Sequence, residues 1–398
     1  MIDRVILHCD CNAFFASVEC LHHPQYRDVP MAVAGDEQTR SGIILAKNEL
    51  AKKCGVVTAE TIWQARKKCP GLLLVPPRHG EYHQYFQKIN DIYQQYTEQV
   101  EPFGIDESWL DVTGSQKLFG TGSEIAEILR NRIRTEIGLT ISVGVSFNKV
   151  FAKLGSDYKK PDAVTVITRE NFRDIVWKQP VEAMIFVGSN AAEALRKIGI
   201  RTIGQLALAD RELLYETLGK GGPAVCDFAN GLDESPVLTF EHTHEVKSVG
   251  NGTTLPHDLS NTQEIRSCVT ELCELVAGRL RSCGMRCTTV NVALKDPQFH
   301  TISRQKPTKN PTDITKELIE TAMEIISANY HDGKLVRSVT VTAQNLVPCD
   351  TKEQLSLFLQ ADYKREKMHE LEEVKDRIRK KYGRRALRYA NTLQSDFE

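Results

Sequence analysis

The arrangement of apolar residues changes character twice along this chain, near Thr168 and again after Asp233, and one packed core does not accommodate three such different stretches. Before Thr168, short strand-like runs alternate with helical ones. Arg4 to Asp10, Met31 to Ala34, Trp109 to Val112 and Thr140 to Val145 read as strands, and Tyr82 to Glu98 and Ser123 to Ile137 as helices. This predicts a mixed sheet covered by helices. From Thr168 to Asp233 no strand pattern is convincing, and Asn190 to Gly204 and Leu213 to Gly231 read as glycine-punctuated helical units of a small helical domain. Ser235 to Glu245 reads as a linker. Beyond it, strand-rich Thr288 to Leu294 and Leu335 to Ala343 alternate with helical Thr262 to Ser282 and Thr312 to Asn329, the order of a β-α-β-β-α-β unit. The chain's 398 residues thus divide into an expected two to four folded units, at about one per 150 residues.

A hydrophobic fraction of 41% and a charged fraction of 26% are ordinary for globular proteins and argue against wholesale disorder. No apolar run approaches the roughly 20 residues a membrane span needs. Met1 to Asp10 moves straight into a strand without a signal-peptide arrangement, so the expected location is the cytoplasm. The 11 cysteines are odd in number and irregularly spaced. Cys283 and Cys287 have no second ligand pair at a zinc-like distance, which favours reduced thiols over disulfides or structural zinc. A net charge of −1 gives no global nucleic-acid signature but is compatible with local basic faces. The charge-dense stretch from Lys364 to Tyr389 reads as a solvated helix of mixed charge.

The chemistry-bearing residues are acids. Val5-Ile6-Leu7-His8-Cys9 delivers Asp10 to the end of a buried strand, and Asp106-Glu107 interrupts an apolar stretch just after Gly104. Two readings stand. In one, Asp10 caps a helix over Cys11 to Cys20 and Asp106-Glu107 is a solvated turn. In the other, a bend at Gly104 brings all three carboxylates to one sheet edge, where they hold hard divalent cations for phosphoryl transfer.

Taken together, the motifs resemble those of Y-family (translesion) DNA polymerases, in the bacterial DNA polymerase IV-like branch. The resemblance runs to about Pro348. It is carried by His8 to Glu19 (HCDCNAFFASVE), by Ile105 to Val112 (IDESWLDV), and by Ser142 to Lys149 (SVGVSFNK) with Ala152-Lys153 and Ser156 to Pro161. The resemblance implies an α+β multidomain right-hand polymerase with palm, fingers, helical thumb and a little-finger domain. Its implied boundaries are 1–11 and 78–167 for the palm, 12–77 for the fingers, 168–233 for the thumb, 234–244 for a linker and 245–348 for the little finger, followed by a clamp-binding peptide and charged tail over 349–398.

It further implies catalysis by Asp10, Asp106 and Glu107, which with the Cys11 backbone carbonyl would hold two Mg²⁺ ions, Mn²⁺ being the alternative. Phe15 falls at the steric gate that selects deoxynucleotides, and backbone N–H groups near Phe14 would cradle phosphates. Lys160 and Lys52 would face the triphosphate. Glu49 and Lys52 stand where relatives commonly have Tyr and Arg, which implies a weaker hold on that triphosphate. Asn12 stands where many relatives have Asp. Val187-Gly188-Ser189-Asn190 and Gly219-Lys220-Gly221-Gly222 resemble helix-hairpin-helix turns that offer N–H groups to DNA phosphates, with Phe186 in place of a usual glycine. Lys247, Ser248, Arg304 and Lys306 are the implied little-finger DNA contacts. Gln354, Leu355, Leu357 and Phe358 belong to a segment similar to sliding-clamp peptides. The implied partners are primer-template DNA, a dNTP and the clamp, for a monomer with no membrane association. Two rivals are a DNA-binding adaptor without chemistry and a palm-type nucleotide cyclase.

Overall fold

Every position of β1 (Ile6–Cys11) is buried, as a contiguous apolar run requires, and this strand is the centre of the first of two compact units. The computed structural model of the chain describes residues 4–36, 42–242, 246–331, 333–351 and 359–392.

After β1 the first unit continues with α1 (Phe14–His22), β2 (Met31–Ala34), β3 (Ile44–Lys47), α2 (Glu49–Lys53), α3 (Ile62–Lys68) and β4 (Leu73–Val75). Next come α4 (His79–Gln94), β5 (Val100–Pro102), β6 (Glu107–Asp111), α5 (Gln116–Phe119), α6 (Gly122–Arg132), β7 (Ile141–Ser146), α7 (Lys149–Tyr158) and β8 (Val164–Val166). Five of these strands form a sheet in the order β5-β6-β1-β7-β8, with β1 antiparallel to both neighbours. Tyr82, Ile89 and Tyr93 of α4 and Ile125 and Leu129 of α6 share a core with Leu7, Leu110, Ile141 and Val143 of the sheet. A three-stranded sheet, β3-β2-β4, carries α2 and α3.

Gly144 decides how closely α7 lies on the large sheet. A Cβ there would stand 1.9 Å from the Ala152 carbonyl oxygen and 2.5 Å from the Ser156 nitrogen, both backbone, so only glycine lets α7 approach β7 this closely. The strandless stretch expected after Thr168 is helical: α8 (Phe172–Ile175), α9 (Ser189–Lys197), α10 (Ile203–Ala207), α11 (Arg211–Leu218) and α12 (Gly221–Ala229) close over Leu195, Ile203, Leu206, Leu214 and Val225.

The second unit runs β9 (Ser248–Leu259), α13 (Thr262–Ser282), β10 (Met285–Lys295), β11 (Thr301–Thr312), α14 (Thr315–Asn329) and β12 (Val336–Pro348), the expected β-α-β-β-α-β order. Its antiparallel sheet, β11-β10-β12-β9, buries Val290, Val292, Val341 and Ala343 against α13 and α14.

The tail departs from expectation. Helix α15 (Leu359–Tyr382) is solvated on one face only, because on the other Glu372 is only 4% exposed and meets Arg281 at 3.3 Å and the Thr315 hydroxyl at 2.8 Å. Asp376 accepts from Arg281 at 2.6 Å, Arg365 pairs with Glu317 at 2.9 Å, and Arg379 pairs with Glu274. Mixed charge in this helix is matched charge against α13 and α14. The helix ends at Gly383, whose φ of 86° breaks it before Tyr389. Among the described residues, no helix is long and apolar enough to cross a membrane.

Candidate active site

The register of β1 places Asp10 directly opposite Glu107 of β6, and directly opposed residues of an antiparallel pair share a face. Asp106 reaches the same end through the bend between β5 and β6. There the Phe103 and Gly104 N–H groups donate to the Glu107 carbonyl at 3.0 and 3.3 Å, and the Cys11 N–H donates to the Asp106 carbonyl at 2.9 Å. A Cβ on Gly104 would stand 3.3 Å from Asp106 Oδ1 and from Glu107 Cγ, so the glycine leaves room for the acids. Asp10 therefore ends a strand rather than capping a helix, since α1 starts beyond Ala13.

Like charges in such proximity need compensation. Lys153 of α7 supplies part of it, with Nζ 2.5 Å from Glu107 Oε2 and 3.2 Å from Asp10 Oδ2. Lys160 reaches Asp10 Oδ2 at 2.8 Å and Asp157 at 2.7 Å. Beneath them His8 is fully buried, with Nδ1 2.8 Å from the Ser156 hydroxyl and Nε2 at a long 3.4 Å from Glu107 Oε2, without another hydrogen-bond partner. Burial pushes the Glu107 carboxyl up, but His8 and Lys153 outweigh it and hold the group at about 2. Asp106 lacks such partners. Burial, then the charges of Asp10 and Glu107, push it up to about 6.

The donor set fits a hard divalent ion. Carboxylate oxygens dominate, and burial first of all pushes the Cys9 thiol up to about 12 and the Cys11 thiol well above its usual range, so neither offers a thiolate. Ligand atoms of His8, Asp10 and Glu107 lie within 4.8 Å of one another. Cys11 adjoins them through its backbone.

A cleft of about 370 Å³ opens beside these acids, lined by Asp10, Asp106, Phe15, Lys52, Glu49 and Lys160 among others. Phe14 is buried in the core, whereas the Phe15 ring stacks on Tyr82 with centroids 4.1 Å apart and planes 13° from parallel. Tyr82 donates its hydroxyl proton to buried Glu19 at 2.7 Å, and Arg78 grips that carboxylate at 3.0 and 2.7 Å. Ala13 precedes α1 with a left-handed φ of 48°, and no side chain caps the first-turn N–H groups of that helix. Lys52 is exposed and 3.7 Å from Glu49, so part of its charge is already answered. Asn12 braces the floor: its amide donates to Ser142 Oγ at 2.9 Å, and its carbonyl oxygen accepts from the Asp162 N–H at 2.8 Å.

In the helical stretch, Gly188 precedes α9, and Gly219 (φ 68°) and Gly221 join α11 to α12. Phe186, with φ 72°, holds the left-handed conformation that glycine would adopt freely. In the second unit Lys247 and Ser248 are exposed at the start of β9. Arg304 and Lys306 stand opposite buried Val292 and Val290, which puts them on the helix-covered side of the sheet, and Lys306 is paired with Glu324 of α14 at 2.7 Å. Gln354, Leu355, Leu357 and Phe358 lie outside the described residues.

The sequence reading gave no role to Lys153, His8, Tyr82 or Lys47, which also lines the cleft. One signal was present: Lys153, Asp157 and Lys160 follow one another at helical spacing, so a carboxylate already sits between two cations.

Residues 9–157 match the impB/mucB/samB family, and residues 246–357 match that family's C-terminal domain. A DNA polymerase IV of Acetivibrio thermocellus is 47% identical over 98% of each chain. One from Clostridium kluyveri is 37% identical over 96% of each, and DNA polymerase IV 2 of Bacillus subtilis is 37% identical over 99% of this chain and 95% of its own. In fold, the chain is similar to a solved Y-family DNA polymerase chimera, with a TM-score of 0.77, 23% identity, and coverage of 86% of this chain and 99% of that one. The chain belongs to the impB/mucB/samB family, that of the Y-family DNA polymerases.

Proposed function

We propose that this chain is a template-directed DNA polymerase of the translesion type, adding deoxynucleotides to a primer 3′-hydroxyl in DNA damage tolerance. The observation that carries the reading is Asp10 set opposite Glu107 at one end of β1, with Asp106 in the adjoining bend, beside a cleft lined by Asp10, Asp106, Phe15, Lys52 and Lys160. In this reading residues 1–11 and 78–167 are the palm, 12–77 the fingers, 168–233 the thumb and 245–348 the little finger. Asp10, Asp106, Glu107 and the Cys11 carbonyl would hold a pair of divalent ions, Mg²⁺ by the hardness of the donors. When bound, such a pair supplies Lewis-acid charge that activates the primer hydroxyl and steadies the triphosphate. Lys160 turns its ammonium to the triphosphate and offsets charge on the leaving pyrophosphate. The uncapped N–H groups at the start of α1 donate to phosphate oxygens, and Phe15 occupies the volume of a ribose 2′-hydroxyl.

Primer extension in Mg²⁺ tests the reading. Asp106→Ala is expected to lower the rate by about 10²- to 10³-fold or more, and extension untouched by this change would defeat the assignment. In the same assay Phe15→Val is expected to improve ribonucleotide use relative to deoxynucleotide use by about 10- to 200-fold. Unaltered sugar discrimination would remove Phe15 from that role.

The Asp106 carboxyl binds its proton more tightly in the folded chain than at its unfolded value of 3.8. That contributes stability below the unfolded value, lost as pH rises through about 6. Asp106→Asn, in chelator, should therefore stabilise the protein at pH 8 by about 1–3 kcal/mol, with the gain fading toward pH 4. Denaturant titrations at both pH values measure this, and a gain independent of pH contradicts the burial and repulsion invoked here.

Gln354 to Phe358 is read as a sliding-clamp peptide, with Leu357 and Phe358 as apolar anchors. Changing both to Ala is expected to abolish stimulation of primer extension by added clamp while leaving clamp-free extension intact. Full stimulation of that variant would refute the peptide's role.

A further inference from the structure

The docked tail has two unlike faces. Arg365, His369, Glu372, Asp376 and Arg379 recur every three or four residues and form its inner face, each meeting an opposite partner on α13, α14 or the turn between β11 and α14. Arg377, Lys380 and Lys381 recur at the same spacing on the outer face. All three are exposed, and among the described residues no carboxylate pairs with them. From Arg377 to Arg388 the sequence holds seven Arg or Lys and no acid.

A helix C-terminus favours cations, which accounts for part of this cluster. Beyond Gly383, Arg388 lies 3.9 Å from Glu271 of α13 and Arg384 stands beside Glu271 and Glu274, so these two arginines are answered by α13. Arg377, Lys380 and Lys381 thus form an exposed cationic cluster, to which a polyanion is complementary. Beside this cluster, Tyr382 is 66% exposed, with Lys381 Nζ 5.0 Å from its ring centroid. Cations flanking an exposed π-face is the arrangement that takes phosphates and a stacked base together.

We propose that Arg377, Lys380 and Lys381, with the ring of Tyr382, form a DNA-backbone site on the tail, presented by the ion pairs that clamp α15 to α13 and α14. The choice of DNA rests on the polymerase reading. Tyr382 favours it over an acidic protein surface, because a base offers a stacking face and a carboxylate cluster does not.

The test uses the full chain and a labelled primer-template with a single-stranded template overhang, in chelator and without nucleotide, so that no catalysis is required. Binding is followed by fluorescence anisotropy across a salt series. Arg377→Gln, Lys380→Gln and Lys381→Gln together are expected to reduce the slope of log affinity against log salt by about 0.7–0.9 for each phosphate no longer neutralised, or about two to three in all. The charge-retaining set Arg377→Lys, Lys380→Arg and Lys381→Arg should keep the wild-type slope. Tyr382→Ala should weaken binding of a single-stranded oligonucleotide by about 5- to 100-fold. A wild-type slope in the Gln variant overturns the proposal and hands these cations to an acidic protein partner. An equal reduction in the charge-retaining set also overturns it, since helix packing rather than charge would be responsible. Extension by the Gln variant at saturating DNA in Mg²⁺ separates a failure here from a failure of the polymerase reading, because none of these residues lines the catalytic cleft.

Discussion

Two carboxylates set directly across from each other on one sheet face, with a third in the adjoining bend, form an arrangement that a folded chain tolerates only if cations come to it. Much of the first unit follows from that requirement. Strand β1 needs neighbours on both sides to bury Ile6, Leu7 and Cys9, and those neighbours fix where Asp10 ends. Helix α7 must lie close enough for Lys153 to span Asp10 and Glu107, and the bare Gly144 backbone makes that approach possible. The compensation is uneven. Glu107 is held ionised by two partners, while Asp106 is left to burial and repulsion, so the site keeps unanswered acidity on the side that faces the cleft.

The opposite wall of the cleft rests on a second buried charge. Glu19 is fully buried, which would be costly alone, but Arg78 and the Tyr82 hydroxyl satisfy both of its oxygens. The carboxylate thereby fixes the Tyr82 ring, and the Tyr82 ring lies flat against Phe15. An aromatic residue at the cleft is thus positioned by a chain of contacts ending in a salt bridge 59 residues apart in sequence. Such support restrains the ring, as the proposed discrimination by shape requires.

How much of this was legible in the sequence depended on whether the deciding contact was local. Strands β1, β2, β6 and β7 were legible as contiguous apolar runs, and β2 was read to the residue. Strands β9 and β11 were not. The first carries Gly250 and Gly252, the second Pro307 and Pro311 on a mostly exposed edge, and both composition cues argue against strands. At the site, adjacent acids after a glycine pointed to Asp106 and Glu107. Lys153 did not announce itself, because its partner Asp10 lies 143 residues away and only the docking of α7 brings them together. The tail failed for the same reason: its alternating charges are those of a solvated helix until Glu274, Asp313 and Glu317 are seen beneath it.

The net charge of −1 conceals two opposite local solutions. At the end of β1, burial and the charges of Asp10 and Glu107 outweigh the pull of Lys153 on Asp106, so a further positive species is favoured there. On the tail, the inner face is matched in both signs, its acids by Arg281 of α13 and its cations by Glu274 of α13 and Glu317 of α14, while the outer face keeps exposed cations. A uniformly neutralised surface would have erased both features at no cost to the fold. Leaving one centre short of positive charge and another short of negative charge spends stability on electrostatic readiness, a pattern expected where metal ions and a polyanion are the species to be held.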